Sequence, residues 1–218
     1  MFDARRSRDR MVDSQIAGRG VRDKNVLAAM RHVPREVFVD GELEEFAYED
    51  VPLPIGEGQT ISQPYVVALM IEAAEVKGGD TVLEVGAGSG YAAAVLSRIA
   101  QRVYAIERIP VLADAARERV RALGYDNIEL RVGDGTRGWP EAAPFDAILV
   151  AAGGAAIPPD LKAQLAIGGR LIIPVGEPRQ QSLIKLTRPS ETHYEEEDLG
   201  AVAFVPLIGD AHRTATES

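Results

Sequence analysis

The chain is predicted to be an α/β protein, a doubly wound and mostly parallel sheet with helices before it and edge strands at its C-terminal end. Three observations predict this. Apolar runs at 81–85, 102–107, 127–132 and 145–150 recur through the middle of the 218 residues with helical patterns between them, the alternation that parallel βα units require. One run breaks into Gly86-Ala87-Gly88-Ser89-Gly90 and resumes as a helical pattern at Tyr91, which reads as strand, tight turn and helix start. The last apolar stretches, 182–187 and 195–207, have no helix between them and read as a hairpin-like pair at a sheet edge.

Taken in order, residues 1–10 are mostly charged and read as a loose extension. Residues 11–20 and 23–33 have helical patterns; Asp23 is placed to cap the second, where Val26, Leu27 and Met30 share a face. A short turn begins at Pro34. Residues 48–62 are rich in proline and glycine and form a loop longer than a simple connector needs. A helix follows from 64 to about 76, with Pro64 in its first turn and Ser62 or Gln63 as its cap. Gly78-Gly79-Asp80 turns the chain into the first sheet strand. Helices are expected at 90–100, at 110 to near Gly124, and at 158–167, with a strand at 169–175. This gives one domain over 11–210, with 11–78 supplying helices and the long loop and 79–210 the sheet. Residues 211–218 are a polar tail.

Composition excludes several functions. With 24 basic and 33 acidic side chains the net charge is −9, the wrong sign for a broad nucleic-acid surface. The chain has no cysteine, which removes disulfides, thiolate zinc sites and a cysteine nucleophile, and suits a reducing cytoplasm. His32, His193 and His212 are too far apart for a histidine-rich metal site, so no metal is expected. The longest weakly polar stretch, 145–159, contains two glycines and is shorter than the roughly 18–20 apolar residues of a membrane span. A cytoplasmic monomer without membrane contact is expected.

Four places are able to carry chemistry. In the glycine loop the sixth position of a dinucleotide fingerprint is Tyr91 instead of glycine, so the strict fingerprint fails. Glu84, two residues before Gly86, would repel a pyrophosphate but suits a cationic ligand. S-adenosylmethionine carries an ammonium and a sulfonium and no phosphate. The alternative is a plain strand–helix turn. Glu107 ends the next strand, where a carboxylate either accepts hydrogen bonds from ribose hydroxyls or is simply solvated beside Arg108. Asp134, in Gly133-Asp134-Gly135, is placed to accept from an adenine amino group or to form an ordinary turn. Thr60 and Ser62 precede a helix N-terminus, a good anion receptor, unless Ser62 is only its cap.

The chain resembles the protein-L-isoaspartate (D-aspartate) O-methyltransferase family. The family's motifs stand here, in order, as Val37-Phe38-Val39-Asp40, Pro52-Leu53-Pro54-Ile55, the stretch 58–65 with Gln59-Thr60-Ile61-Ser62-Gln63-Pro64, the stretch 82–91, Gly133-Asp134-Gly135, Pro174-Val175-Gly176 and Phe204-Val205-Pro206-Leu207. The resemblance spans about 11–208. It implies a Rossmann-like S-adenosylmethionine-dependent methyltransferase acting on the isoaspartyl carboxylate of damaged peptides and proteins, with S-adenosylhomocysteine as product. The methyl ester then collapses without the enzyme to a succinimide, which hydrolyses partly to aspartate. By resemblance Ser62 is the active-site serine and Thr60 shares the substrate loop. Gly86, Gly88 and Glu107 match cofactor positions around methionine and ribose, with Glu84, Ala87 and Arg108 assigned to the same site. Asp134 and Gly135 match the adenine site. Ala151-Ala152-Gly153-Gly154 departs from the Ala-Ala-Pro-like stretch commoner in relatives. The chemistry needs no base or metal, because the acceptor carboxylate is already ionised at neutral pH. Ser62 is therefore expected to orient the acceptor, not to attack. A methyltransferase for another acceptor, or a nucleotide-binding module without catalysis, are the alternatives.

Overall fold

The computed structural model describes residues 3–178 and 180–209. Its N-terminal third is helical. Helix α1 (Ala4–Arg10) is capped by Asp3, whose carboxylate accepts the Arg6 amide. It runs straight into a π-helical turn, Met11–Ile16, and a 3-10 turn, Ala17–Arg19, ended by Gly20 at φ +110°. The expectation of a loose extension is thus corrected for residues 4–10. A capped, arginine-rich segment forms helix, Ala4 packs on the core, and Arg8 donates to the His32 carbonyl. Helix α2 (Lys24–His32) starts where expected, with Asp23 accepting the amides of Asn25 and Val26. The long loop closes on itself as a small antiparallel pair, β1 (Leu53–Pro54) and β2 (Thr60–Ile61), and leads into α3 (Pro64–Ala73).

The central elements follow the predicted alternation: β3 (Thr81–Val85), α4 (Tyr91–Ser97), β4 (Arg102–Glu107), α5 (Pro110–Ala122), β5 (Ile128–Val132), β6 (Phe145–Val150), α6 (Pro159–Ala163), β7 (Leu165–Glu177), β8 (Gln180–Thr187) and β9 (Glu195–Val202). The seven strands β3–β9 form one sheet ordered β5-β4-β3-β6-β7-β8-β9, parallel from β5 through β7 and antiparallel at β8 and β9. Alternation along each strand gives the two cores their period of two. Val82, Ala105 and Leu149 face α3, α4 and α5, whereas Leu83, Val85, Ile106 and Ile148 face Trp139 and Leu161. Strand order reverses beside β3, so the crevice of the sheet opens at the carboxyl ends of β3, β4 and β6.

Helices α3 and α4 stop about a turn earlier than expected, at Ala73 and Ser97, and two larger differences lie further along the chain. The helix at 158–167 stops at Ala163, because Leu165 is fully buried and pairs with Phe145 as the start of a long, irregular β7. The strand expected at 195–207 stops at Val202. The chain then crosses the sheet end as a strap: Gln181 captures the Phe204 amide (2.7 Å), and Leu207 donates to the Gly153 carbonyl (2.7 Å). Asp210 and the tail, with His212, lie outside the described residues. Among the described residues no helix is long and apolar enough to cross a membrane.

Candidate active site

The glycine loop sits at the carboxyl end of β3. The amides of Gly86 and Ala87 both donate to the Ile106 carbonyl (2.9 and 3.1 Å), which folds the loop against β4. Gly86, Gly88 and Gly90 all have positive φ, a path that side-chain-bearing residues rarely take. Gly90 does the packing work that a dinucleotide fingerprint gives to its sixth residue. A Cβ there would come 3.3 Å from Ala116 and Val120 of α5, so its absence lets α4 and α5 approach.

Two buried carboxylates flank the loop. Glu107 is tied to backbone: one oxygen accepts from Gly88 N–H (2.9 Å) and the other from Ile109 N–H (2.8 Å). It therefore couples the glycine loop to the start of α5 before any ligand arrives. Glu84 is 2 % exposed, and its Oε2 is buried with no hydrogen-bond partner. Burial first, and the Glu107 charge second, push its carboxyl up to about 8, while a backbone hydrogen bond with Ala93 pulls the other way. An orphaned carboxylate oxygen at a cleft is costly unless a cationic donor meets it there.

One cleft gathers most of the predicted site. Its walls include Thr60, Ser62, Glu84, the loop 86–88, Glu107 with Arg108, and Gly135. At Gly135 a Cβ would run into the Val85 side chain, so the backbone itself forms that wall. Asp134 is not among the lining residues. Its Oδ1 accepts from the Thr136 amide (2.9 Å) and hydroxyl (2.7 Å), capping the 3-10 turn Gly135–Arg137.

The structure removes the helix-cap reading of Ser62. Neither Ser62 nor Gln63 caps α3 with its side chain. The cap is Asp50, fourteen residues before Pro64 in the chain, whose Oδ1 accepts the Tyr65 amide (3.0 Å) while Oδ2 holds the Gln63 side-chain amide (2.7 Å). Ser62 is left to line the cleft.

Sequence reasoning missed other walls: Tyr91 from α4, Ala151 and Ala152 after β6, and 205–208 of the strap. The strap was quoted as a motif but given no role, since nothing local says that it folds back. The loop 151–154 is held on both sides, by Gly153 beside Pro206 and Gly154 beside Val175. A Cβ at 153 would collide with the Gln181 amide that anchors the strap.

A glycine loop at a parallel-sheet switch point, a carboxylate on each side of it and a hydroxyl-bearing loop in the same cleft are the arrangement of an S-adenosylmethionine-dependent methyltransferase. The orphaned Glu84 oxygen fits the cofactor's ammonium and would repel a pyrophosphate. Comparison with known proteins agrees. The sequence model of the protein-L-isoaspartate(D-aspartate) O-methyltransferase (PCMT) family matches residues 6–212. Protein-L-isoaspartate O-methyltransferase 1 of Rhodopseudomonas palustris (strain HaA2) is 60% identical over 204 residues, covering 93% of this chain and 83% of that protein. The Methylorubrum extorquens (strain PA1) protein-L-isoaspartate O-methyltransferase is 60% identical over 206 residues, 94% of this chain and 90% of that one. Among solved structures, the Plasmodium falciparum beta-aspartate methyltransferase (PCMT) in complex with S-adenosyl-L-homocysteine superposes with a TM-score of 0.80. It is 27% identical and covers 92% of this chain and 98% of that chain. The chain belongs to the protein-L-isoaspartate(D-aspartate) O-methyltransferase family.

Proposed function

We propose that this protein transfers a methyl group from S-adenosylmethionine to the free carboxylate of L-isoaspartyl residues, and of D-aspartyl residues, in damaged peptides and proteins, and so initiates their repair. The observation that carries the reading is the shared cleft: Thr60 and Ser62 line the same cleft as the loop 86–88 and the two carboxylates. S-adenosylmethionine, when bound, supplies an activated methyl group on a sulfonium. Glu84 holds the ammonium of its methionine part, Glu107 and Arg108 border its ribose, and the backbone at Gly86, Ala87, Gly88 and Gly135 shapes the cavity for it. Asp134 reaches the adenine only by sharing the carboxylate that caps its own turn. Thr60 and Ser62 donate hydrogen bonds to the acceptor carboxylate and orient one of its lone pairs; no proton has to move. The strap 205–208 and Ala151 add apolar wall to the same cleft.

The net charge of −9 and the absence of cysteine support a cytoplasmic monomer that binds peptides, not nucleic acid. The one-domain reading over 11–210 is supported by the helices of the N-terminal third sharing a core with the sheet. The decisive experiment compares methyl transfer to an isoaspartyl peptide and to its aspartyl twin. Methylation of the first alone is expected. Failure with both, while another acceptor is methylated, overturns the reading.

A further inference from the structure

We infer that Arg35 is a positioning residue for methyl transfer, registering the acceptor loop against the cofactor loop through its bond to the Ser62 carbonyl and its contact with the Tyr91 ring. The inference rests on the role of Ser62 given above. Arg35 opens the 3-10 turn Arg35–Phe38 and is 0 % exposed. Its guanidinium spreads over three carbonyls from three separate places: Nε donates to Ala47 (2.6 Å), Nη1 to Ser62 (2.9 Å) and Nη2 to Val51 (3.3 Å). Its carbon lies 5.2 Å from the centroid of the Tyr91 ring, and Tyr91 is the first residue of α4, directly after Gly90. Ser62 and Tyr91 both line the cleft. One rigid, planar group therefore touches the wall that presents the acceptor and the wall that carries the donor.

A charge is an expensive way to hold loops. Among the described residues none of the ion pairs includes Arg35. Burial pushes its guanidinium down to about 10, against the pull of Tyr91, Tyr48 and Asp50, so it remains charged at neutral pH. A buried cation held by neutral carbonyls carries a large desolvation cost, and truncating it would also leave the Ala47, Ser62 and Val51 carbonyls without that donor. Function gives the cation two uses. Transfer between sulfur and a carboxylate oxygen tolerates little misplacement, and Arg35 sets the relation of the two walls. The acceptor is also an anion entering a cleft that already holds the Glu107 carboxylate. A positive charge behind the Ser62 peptide offsets that field.

The test is a double-mutant cycle on the full chain, using Arg35→Met, Arg35→Lys, Ser62→Ala and Arg35→Met/Ser62→Ala. It reads kcat and KM for an isoaspartyl peptide, the Kd of S-adenosylhomocysteine by calorimetry, and thermal unfolding. Arg35→Met is expected to lower kcat/KM about tenfold or more, with kcat falling as alignment is lost and KM rising as the acceptor loop shifts, and with the S-adenosylhomocysteine Kd within about twofold of the parent. In the Ser62→Ala background the same change should cost less than about threefold, because the residues act as one unit. Arg35→Lys, which keeps the charge, should recover part of the loss. A folded Arg35→Met or Arg35→Lys protein with parental kcat/KM and only a lowered Tm overturns the inference, as does full additivity with Ser62→Ala. If Arg35→Met does not fold, Arg35→Lys and its combination with Ser62→Ala complete the same cycle. A parent enzyme inactive on isoaspartyl peptide would instead sink the proposed function, so the two failures are distinguishable.

Discussion

Glu84 shows how one side chain links stability to ligand binding. Its carboxyl sits at about 8 in the folded protein against an ordinary 4.5. Between those values the unfolded chain releases the proton and the folded protein keeps it, so Glu84 costs the fold progressively more as pH rises from 4.5 to 8. Glu84→Gln removes that penalty and is expected to stabilise the unliganded protein at neutral pH by about 1–3 kcal/mol, read from denaturant midpoints. The same change should weaken S-adenosylhomocysteine binding, because the ammonium loses its counter-charge. Binding to the parent must draw the proton off Glu84. Calorimetry at pH 7 in buffers of different ionisation enthalpy should therefore report release of close to one proton. Affinity should climb by up to about tenfold per pH unit towards pH 8 and level off above it, where Glu84 is already ionised in the free protein. A flat profile through pH 6–8 would remove Glu84 from the ammonium site. The presence of this carboxylate two residues before Gly86 was legible in the chain; its orphaned oxygen was not, since that depends on which groups α4 brings against β3.

At the scale of elements, the position of the acceptor loop depends on borrowed contacts. Helix α3 begins correctly at Pro64, but its cap comes from Asp50. Asp50→Ala is expected to cost about 1 kcal/mol or more of stability, the ordinary worth of a helix cap. It should also raise KM for the isoaspartyl peptide while leaving the Kd of S-adenosylhomocysteine unchanged, since Ser62 precedes the freed helix end. Comparing Tm, KM and that Kd checks all three. The strap is latched in a similar way. Gln181→Ala removes both hydrogen bonds of the Gln181 amide to Phe204, at 2.7 and 3.4 Å. Hydrogen exchange at the Leu207 and Gly153 amides, which donate to the Gly153 and Val205 carbonyls respectively, should then accelerate without a matching change in β3–β6. Equal acceleration throughout the sheet would mean that Gln181 supports the fold as a whole.

For the whole molecule, charge is the property that reaches furthest. A net charge of −9 favours substrates whose flanking residues are basic. An isoaspartyl peptide flanked by lysines is expected to show a lower KM than one flanked by glutamates at low salt, with the gap narrowing as screening shortens to about 8 Å at physiological ionic strength. Equal KM values at low salt would confine the electrostatics to the cleft itself. The sequence alone determined the parallel alternation of strands and helices, the glycine turn and the carboxylates around it. Hydrophobic period, turn glycines and helix starts are local signals, written within a few residues of where they act. Only the tertiary structure decided that Asp50 caps α3 and leaves Ser62 free, that Asp134 caps its own turn, that residues 4–10 are helical and packed, and that 203–208 fold back as a wall of the cleft. It alone revealed Arg35 as a buried cation between Ser62 and Tyr91. Each of these rests on groups brought together from distant parts of the chain, where burial and hydrogen-bond satisfaction, and not local propensity, choose the partner.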